Sequence, residues 1–218
     1  MKKEFRRTYV NKNKMEIMYN RENCCKPVEG KHMIDLETWA RKEHYAHFAS
    51  LDDPFFGICA KADFTGCYRQ AKNDNASFFL YSLHRILKAA NQIEEFRYRI
   101  EDGNIVLYDR INASPTIGRE DGSFGFGYFR YSEDREEFVE GALKTDVIYY
   151  SSIPWIDFTG LKHASGISRG QSVPRISTGK LVPEGDRLMM SVSVELNHGL
   201  ADGYHVAEFF RLLGSDSL

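Results

Sequence analysis

The residues with the clearest chemical potential lie near the carboxyl end of the chain, in the segment N-H-G-L-A-D-G-Y-H at positions 197–205. His198 ends a run of alternating apolar residues, and Gly199 follows it. A histidine held by a rigid strand and partly removed from water is a natural proton acceptor, because its ordinary pKa of about 6.5 lies near neutrality. The segment therefore indicates a general base, but a core histidine bonded to the backbone would produce the same pattern.

Two further groups of residues have the types and spacing for chemistry. Asp202 precedes the helical run 204–213, and because aspartate is a preferred N-cap residue, capping alone would account for it. His44 and His47 are spaced as H-x-x-H, and one turn of helix brings such residues together. A metal hydrolase that uses both with His198 is an alternative, but its third ligand is unsupported, and we predict no metal.

Hydrophobic periodicity indicates the elements that position these residues. Residues 188–197 alternate as a strand does, and His198 continues the apolar face. That face comprises Leu188, Met190, Val192, Val194 and Leu196, and the other comprises Met189, Ser191, Ser193, Glu195 and Asn197. Residues 77–91 carry an apolar stripe at helical spacing. Asp102-Gly103, between two alternating runs, predicts a tight hairpin.

Interleaved helices and strands place the protein in the α/β class. Strand-like runs lie at 55–64, 146–158, 173–182 and 187–196, and a short acidic helix is predicted at 132–144. The hairpin implies antiparallel neighbours. We therefore expect a two-layer sandwich in which a mixed, largely antiparallel sheet packs against helices.

Length and charge narrow the classes of function. The chain has 218 residues, enough for one full domain. Its 29 basic and 31 acidic residues leave a net charge of −2, which argues against nucleic acid or a membrane surface as the partner. The amino terminus lacks the apolar core of a signal peptide, and the four cysteines contain no C-x-x-C pair, so we expect reduced thiols in the cytoplasm. Residues 1–34 are interpreted as a basic arm and 35–218 as the catalytic domain.

Residues 197–205 resemble the HHxxxDG signature of coenzyme A-dependent acyltransferases, and further segments are similar to the chloramphenicol acetyltransferase family in the family's order. These are WARKEHY at 39–45, ANQIEEFRYRIEDGNIVLYD at 90–109, SSIPWIDF at 151–158 and EGDRLMM at 184–190. The resemblance implies the acyltransferase fold in a homotrimer with active sites between subunits. It also implies direct transfer of an acetyl group from acetyl-CoA, as co-substrate, to a hydroxyl of a small molecule, as in antibiotic resistance.

The same resemblance implies roles for single residues. His198 matches the catalytic histidine that takes the proton from the acceptor hydroxyl. Ser151 matches the serine that stabilises the tetrahedral oxyanion, and Ser177 stands where the family has a threonine that assists it. Asp202 matches an aspartate that pairs with the arginine of W-x-R, here Arg41, and the pair would hold the loop that aims the imidazole.

Other matched positions concern the two ligands. Trp155 and Lys180 match residues near the coenzyme, but a core tryptophan and a surface lysine would explain them equally well. Phe48, Asp52 and Thr116 match the acceptor pocket. In the antibiotic-binding members of the family a tyrosine stands at the position of Phe48 and a leucine at that of Asp52, so a carboxylate replaces an apolar wall.

Further departures from the family pattern motivate a second hypothesis. Asn197 replaces the first histidine of the signature, and the segment between Tyr131 and Ser151 is shorter than in the family. The leading hypothesis remains an acetyl-CoA-dependent O-acetyltransferase whose acceptor is open. The alternative is a relative that binds an acyl-CoA or a small ligand without turning it over.

Overall fold

The computed structural model describes residues 30–118, 124–132, 139–140, 146–163 and 170–214 of the chain. Within these ranges an eight-stranded sheet, a separate three-stranded sheet and flanking helices make up the fold. The α/β sandwich expected from the sequence is therefore confirmed. Residues 1–29 of the interpreted arm lie outside the described residues.

The strands account for most of the predicted runs. In chain order they are β1 (Lys31–Met33), β2 (Phe55–Asp63), β3 (Tyr98–Glu101), β4 (Asn104–Tyr108), β5 (Asn112–Gly118), β6 (Phe124–Phe126), β7 (Phe129–Arg130), β8 (Val139–Glu140), β9 (Val147–Ser152), β10 (Arg175–Glu184) and β11 (Arg187–Asn197). The large sheet has the order β2-β11-β10-β9-β5-β7-β8, with β6 paired to β5. Strand β9 runs parallel to β5 and β10, and the other pairs are antiparallel, which confirms a mixed, largely antiparallel sheet.

Two of the four helices in the described residues lie where the apolar periodicity places them. They are α1 (Lys42–Ala49), α2 (Thr65–Asn73), α3 (Phe78–Asn91) and α4 (Gly203–Gly214), with a 3₁₀ turn at Glu94–Phe96. Helix α3 follows the predicted stripe, and Ser77 occupies its N-cap position. None of the helices in the described ranges combines the length and the apolar content that crossing a bilayer requires.

The main core lies between the large sheet and helices α2, α3 and α4. The apolar face of β11 contributes Met190, Val192, Val194 and Leu196 to it, opposite Leu87 and other residues of the helices. The polar face of the same strand is buried as well, with Ser193 only 1% and Glu195 7% exposed. This strand is therefore covered on both sides, and its polar residues need partners inside the protein.

The smaller sheet positions the amino-terminal part of the site. Strand β4 pairs with β3 across the predicted hairpin, where Asp102 and Gly103 both have positive φ, and β1 pairs with the other edge of β4. Residues 31–33 of the interpreted arm thus belong to the folded sheet. Beside it, Trp39 donates a hydrogen bond from Nε1 to the hydroxyl of Tyr98 over 3.3 Å. This contact anchors the chain just before α1.

One predicted element is wrong in part. An acidic helix was expected over 132–144, but Val139–Glu140 form strand β8, which pairs with β7 at the edge of the large sheet. The rest of that segment from 133 to 145 lies outside the described residues. The local pattern of acidic residues contains no information about a strand edge elsewhere in the fold. Pairing with such an edge can override the local preference for helix.

Candidate active site

His198 sits in the turn that leads from β11 to α4, and we call residues 197–202 the histidine turn. Its backbone N–H donates to the carbonyl oxygen of Pro54 over 2.7 Å, just after Asn197 pairs with Phe55 of β2. Leu200 N–H donates to Asn197 O over 3.0 Å and closes the turn. The histidine is therefore carried by a strand end whose backbone is held on both sides.

The imidazole of His198 is half-buried among rings. Phe48 of α1 stacks on it at 4.0 Å between centroids with the planes 3° apart, and Phe56 of β2 contacts it at 4.4 Å. Its Nδ1 lies 3.3 Å from Nε2 of His44, also on α1. The sequence singled out His44 only for the metal alternative, and the structure makes it a direct neighbour of the candidate base.

The His44 contact bears on which nitrogen of His198 can act. Burial, the charge of Arg41 and the neighbouring His198 hold the pKa of His44 below its ordinary value, so His44 is neutral near pH 7. A neutral imidazole nitrogen can accept a hydrogen bond from His198 Nδ1–H. In that arrangement Nε2 of His198 carries the free lone pair, which is the state that a general base requires.

The histidine turn is tied to α1 by an ion pair. Arg41 Nη1 donates to Asp202 Oδ2 over 3.1 Å, while Asp202 Oδ1 accepts from Tyr204 N–H over 3.0 Å. The two explanations for Asp202 are thus compatible, because one oxygen pairs and the other caps α4. Burial by itself raises the pKa of Asp202, but the Arg41 and Tyr204 hydrogen bonds and the charge of His205 outweigh it and hold that pKa below its usual range.

Asn197, which replaces the first histidine of the signature, has a defined structural role. Its side-chain oxygen accepts from Gly199 N–H over 2.9 Å, and its amide nitrogen donates to Gln171 O over 2.8 Å. The side chain is 5% exposed. An amide supplies one acceptor and two donors at fixed positions, so Asn197 holds the backbone of the histidine turn.

A second group of candidate residues forms a row of hydroxyls across the sheet, which we call the hydroxyl row: Thr116, Ser151, Ser177 and Ser193. Ser177 pairs in register with Ser151 on β9 and with Ser193 on β11. Thr116 Oγ1 donates to Ser151 Oγ over 3.3 Å. The neighbours Tyr150, Ile176 and Val192 point into the helix-side core, and because side chains alternate along strands, the hydroxyl row lies on the face away from the helices.

Ser177 has partners that sequence reasoning did not identify. His163 Nε2 lies 2.9 Å from Ser177 Oγ, and His163 Nδ1 lies 3.1 Å from Glu195 Oε2. Arg175 Nη1 reaches the same carboxylate oxygen over 3.4 Å. The one sequence signal for Glu195 is that a charged residue stands within a strand that is covered on both faces. No sequence pattern identifies His163.

The two residues matched to the coenzyme lie close together. Trp155 is 71% exposed, so it does not pack in the core of this chain. Lys180 is exposed on β10, and its N–H donates to Ile156 O over 2.8 Å, which holds the loop of Trp155 beside it. Gly179 permits this approach, because a Cβ there would lie 2.8 Å from Ile156 O.

The histidine turn and the hydroxyl row are separated within the chain. His198 comes five residues after Ser193, and at about 3.3 Å per residue this places them about 16 Å apart along β11. The residues matched to the acceptor pocket are divided in the same way. Phe48 and the exposed Asp52 lie on the side of His198, whereas Thr116 contacts Ser151.

Neither a metal nor a disulfide is built into the part of the chain that the structure describes. No group of three or more His, Cys, Asp or Glu side chains there is arranged to hold a metal ion. Cys59 and Cys67 form no disulfide within the described residues. Cys24 and Cys25 lie outside the described residues.

Comparison with known proteins adds an independent line of information. A family model described as chloramphenicol acetyltransferase matches residues 31–150 and 128–214. The chain is similar to chloramphenicol acetyltransferase 2 of Escherichia coli, with 27% identity over 199 residues that cover 83% of this chain and 93% of the relative. Chloramphenicol acetyltransferase 3 of Escherichia coli is 25% identical with the same coverage.

Solved structures agree with these matches. A chloramphenicol acetyltransferase chain superposes with a TM-score of 0.77 and 30% identity, covering 85% of this chain and 98% of that one. A probable dihydrolipoamide acetyltransferase from Listeria monocytogenes superposes with a TM-score of 0.53 at 15% identity, covering 86% and 94%. The second likeness shows the fold alone.

Proposed function

The chain belongs to the chloramphenicol acetyltransferase family and is an acetyl-CoA-dependent acetyltransferase, and we propose that it transfers the acetyl group directly to a hydroxyl of a small molecule with His198 as general base. The observation that carries this proposal is the placement of His198. Its imidazole lies at a strand end, in a turn that the Arg41–Asp202 ion pair ties to α1.

The proposed step needs one base and one donor. Nε2 of His198 takes the proton from the acceptor hydroxyl as its oxygen attacks the thioester carbonyl, and negative charge develops on the carbonyl oxygen. Ser151, which the structure leaves partly exposed on β9, donates to that oxygen. When the intermediate collapses, the carbon–sulfur bond breaks and the histidine returns its proton to the departing thiolate. The acetyl group thus reaches the acceptor without an acyl-enzyme.

The active site is proposed to form between subunits of a homotrimer. Because His198 and the hydroxyl row lie about 16 Å apart along one strand, a single chain does not bring base and oxyanion donor to the same carbonyl group. The face that carries the hydroxyl row also exposes large apolar side chains, with Tyr149 44%, Phe126 63% and Phe124 60% exposed. Such a patch favours a protein partner, and a second copy that places His198 against Ser151 would complete the site.

Coenzyme binding is assigned to the loop after β9. Trp155 offers an exposed ring for stacking, and Lys180 offers a cation for a phosphate group, within one hydrogen-bonded segment. With a net charge of −2, the protein has no general attraction for a polyanion, so local residues must supply this affinity. Because acetyl-CoA is an intracellular metabolite, we also propose a cytoplasmic location.

The acceptor is proposed to bind between Phe48 and Asp52 of one subunit and Thr116 of the next. The relatives are named for chloramphenicol, which is therefore the first acceptor to test. Asp52 is an exposed carboxylate in the turn after α1. A carboxylate at the pocket favours an acceptor that carries a hydrogen-bond donor or a positive charge near its hydroxyl.

A thiol-release assay tests the proposed function. Purified protein is incubated with acetyl-CoA and a panel that contains chloramphenicol, neutral alcohols and amino alcohols. We expect acceptor-dependent release of CoA, and the matched variant Asp52→Leu should shift the preference from cationic toward neutral acceptors. Tight acetyl-CoA binding without acetyl transfer to any acceptor would instead support the alternative of a relative that binds without turnover.

Subunit mixing tests the shared site. His198→Ala and Ser151→Ala chains are each expected to have little activity, but co-assembled chains form sites that combine an intact histidine with an intact serine. Random one-to-one assembly should restore about a quarter of the parent activity. No recovery in verified mixed oligomers, or full activity in a monomer, would contradict a site between subunits.

A further inference from the structure

Ser177 is the fully buried member of the hydroxyl row, and its side chain is bonded to an imidazole. Its exposure is 0%, and its Oγ lies 2.9 Å from Nε2 of His163. The imidazole is 24% exposed, so water and protons reach it. A serine that would assist the oxyanion is thus hydrogen-bonded to an imidazole, whose Nε2 can accept or donate according to its protonation state.

Glu195 lies beside the Nδ1 edge of the His163 ring. Glu195 Oε2 lies 3.1 Å from His163 Nδ1, and Oε1 accepts from the His163 backbone N–H over 3.1 Å. Burial raises the pKa of Glu195, but the contacts with His163 and Arg175 outweigh it and hold that pKa below its usual value. Because an ionised carboxylate only accepts hydrogen bonds, its position 3.1 Å from Nδ1 favours the form of His163 that carries a proton on Nδ1.

The charge state of His163 then decides what the Ser177 hydroxyl does. In the neutral ring Nε2 is an acceptor, so Ser177 donates its only proton to His163. In the imidazolium, Nε2–H donates a hydrogen bond to Ser177 Oγ. The serine hydroxyl can then donate its own hydrogen bond to another acceptor. A hydroxyl that must stabilise an oxyanion needs the second arrangement.

We propose that His163 is a positioning residue for Ser177, which turns the serine hydroxyl toward the oxyanion when the imidazole is protonated and away from it when the imidazole is neutral. The inference rests on the proposed function, since it takes Ser177 as an oxyanion donor. His198 must be neutral to act as base, whereas His163 must be charged to release Ser177, so the two histidines impose opposite pH dependences on the same turnover.

Charged groups on two strands lie beside His163. Glu195 of β11 faces Nδ1 of the ring. Arg175 of β10 shares the same carboxylate, with Nη1 3.4 Å from Oε2. Arg175 is also held by Gln171 Oε1 over 2.7 Å and lies over the ring of Phe55 at 4.2 Å. The Glu195 carboxylate therefore contacts both the Arg175 guanidinium and the His163 imidazole.

The test compares the pH dependence of kcat for the parent chain and for His163→Gln. The glutamine amide can donate to Ser177 Oγ at every pH but does not titrate. We expect kcat of the parent to fall about tenfold on the alkaline side. The Gln variant should lose that fall and keep the acid limb that His198 sets. KM for acetyl-CoA should change little, because Ser177 acts on the intermediate.

A double-variant comparison separates positioning from a structural role. In the Ser177→Ala background, His163→Gln should leave kcat and its pH profile unchanged, because the hydroxyl that His163 directs is gone. Thermal unfolding of each variant controls for folding. An alkaline fall that persists in His163→Gln, or an equal effect of that substitution with and without Ser177, would overturn the proposal.

A direct measurement does not depend on turnover. In ¹⁵N NMR of the intact protein we expect neutral His163 to carry its proton on Nδ1, and Ser177→Ala to shift the Nε2 resonance. A proton on Nε2 of neutral His163 contradicts the inference even if the enzyme is active. Absence of turnover with the whole acceptor panel, alongside the expected NMR result, would instead count against the proposed function.

Discussion

The histidine turn and the hydroxyl row achieve precise placement in different ways. The histidine turn consists of six consecutive residues, held by the Asn197 amide and by the ion pair from Arg41 to Asp202. The hydroxyl row takes one residue from each of four strands, and sheet register aligns its three serines. A contiguous turn therefore leaves a motif in the sequence, whereas a row across strands leaves only isolated serines and threonines.

Their surroundings differ as well, and the difference fits their proposed roles. His198 lies between aromatic rings and stays half-exposed, which suits a base that meets a substrate hydroxyl. Ser177 is fully buried, and its hydroxyl contacts an imidazole. Oxyanion donors act best when they are oriented before charge develops. The base is thus open to substrate, and the assisting donor is fixed in advance.

Removing the base should have the largest effect. His198→Ala is expected to lower kcat by about 10³-fold, within the usual range for a general base, because the substitution removes the nitrogen that takes the proton. KM for acetyl-CoA should stay within a few-fold of the parent. Steady-state kinetics measures both, and an unchanged thermal midpoint shows that the fold is intact. Turnover that survives this substitution would show that the histidine turn does not supply the base.

Removing the main oxyanion donor should rank next. Ser151→Ala is expected to lower kcat by about 10²-fold, because one hydroxyl aimed at developing charge is lost while substrate binding remains. The matched control is Ser193→Ala, the member of the hydroxyl row on β11, where we expect little change in kcat. Equal losses of kcat in the two variants would mean that the serines act through the stability of the sheet. Stopped-flow kinetics measures the loss of activity, and unfolding measurements give the loss of stability.

Weakening the tie between α1 and the histidine turn should have an intermediate effect. Asp202→Asn keeps an acceptor for Tyr204 N–H but removes the charge opposite Arg41, and we expect kcat to fall about tenfold, since a charge-assisted hydrogen bond of about 1.5–3 kcal/mol is weakened. Combination with Arg41→Ala should add little further loss. Additive losses would show that the two residues act separately.

The same pair predicts a pH dependence of stability. Because the folded protein holds the pKa of Asp202 below its usual value, the carboxylate contributes stability above about pH 4 and loses that contribution as pH falls through the lower folded pKa. The difference in free energy of unfolding between the parent and Asp202→Asn should therefore be constant above about pH 5 and shrink at more acidic pH. A difference that grows on acidification would contradict the sign.

The smallest effect is expected at the rim of the hydroxyl row. Thr116→Val removes the hydroxyl that donates to Ser151 over 3.3 Å while keeping the side-chain shape. The Ser151 hydroxyl then becomes less well oriented, and we expect kcat to fall about threefold, in line with the loss of one neutral hydrogen bond. A loss as large as that of Ser151→Ala would make Thr116 a direct donor to the intermediate.

Much of the fold was predictable from the chain alone. The apolar stripe of 77–91 and the alternation of 188–197 become α3 and β11, because one burial face per element is a local property of the sequence. The Asp102-Gly103 hairpin follows from the positive φ that both residues adopt. Strand β8 was not predicted, because it forms by pairing with β7 at the edge of the sheet and is too short to show an alternation of apolar and polar residues.

The candidate site likewise has some features that local sequence specifies and others that depend on tertiary packing. The sequence by itself determined His198, Asp202 and Asn197 as a unit, because a turn between a strand and a helix is specified by neighbouring residues. Only the tertiary structure decided that Asn197 bonds the backbone of that turn, that His44 is a neighbour of His198, and that His163 contacts Ser177. Those contacts depend on strand order and loop path, which are set by the packing of the whole chain.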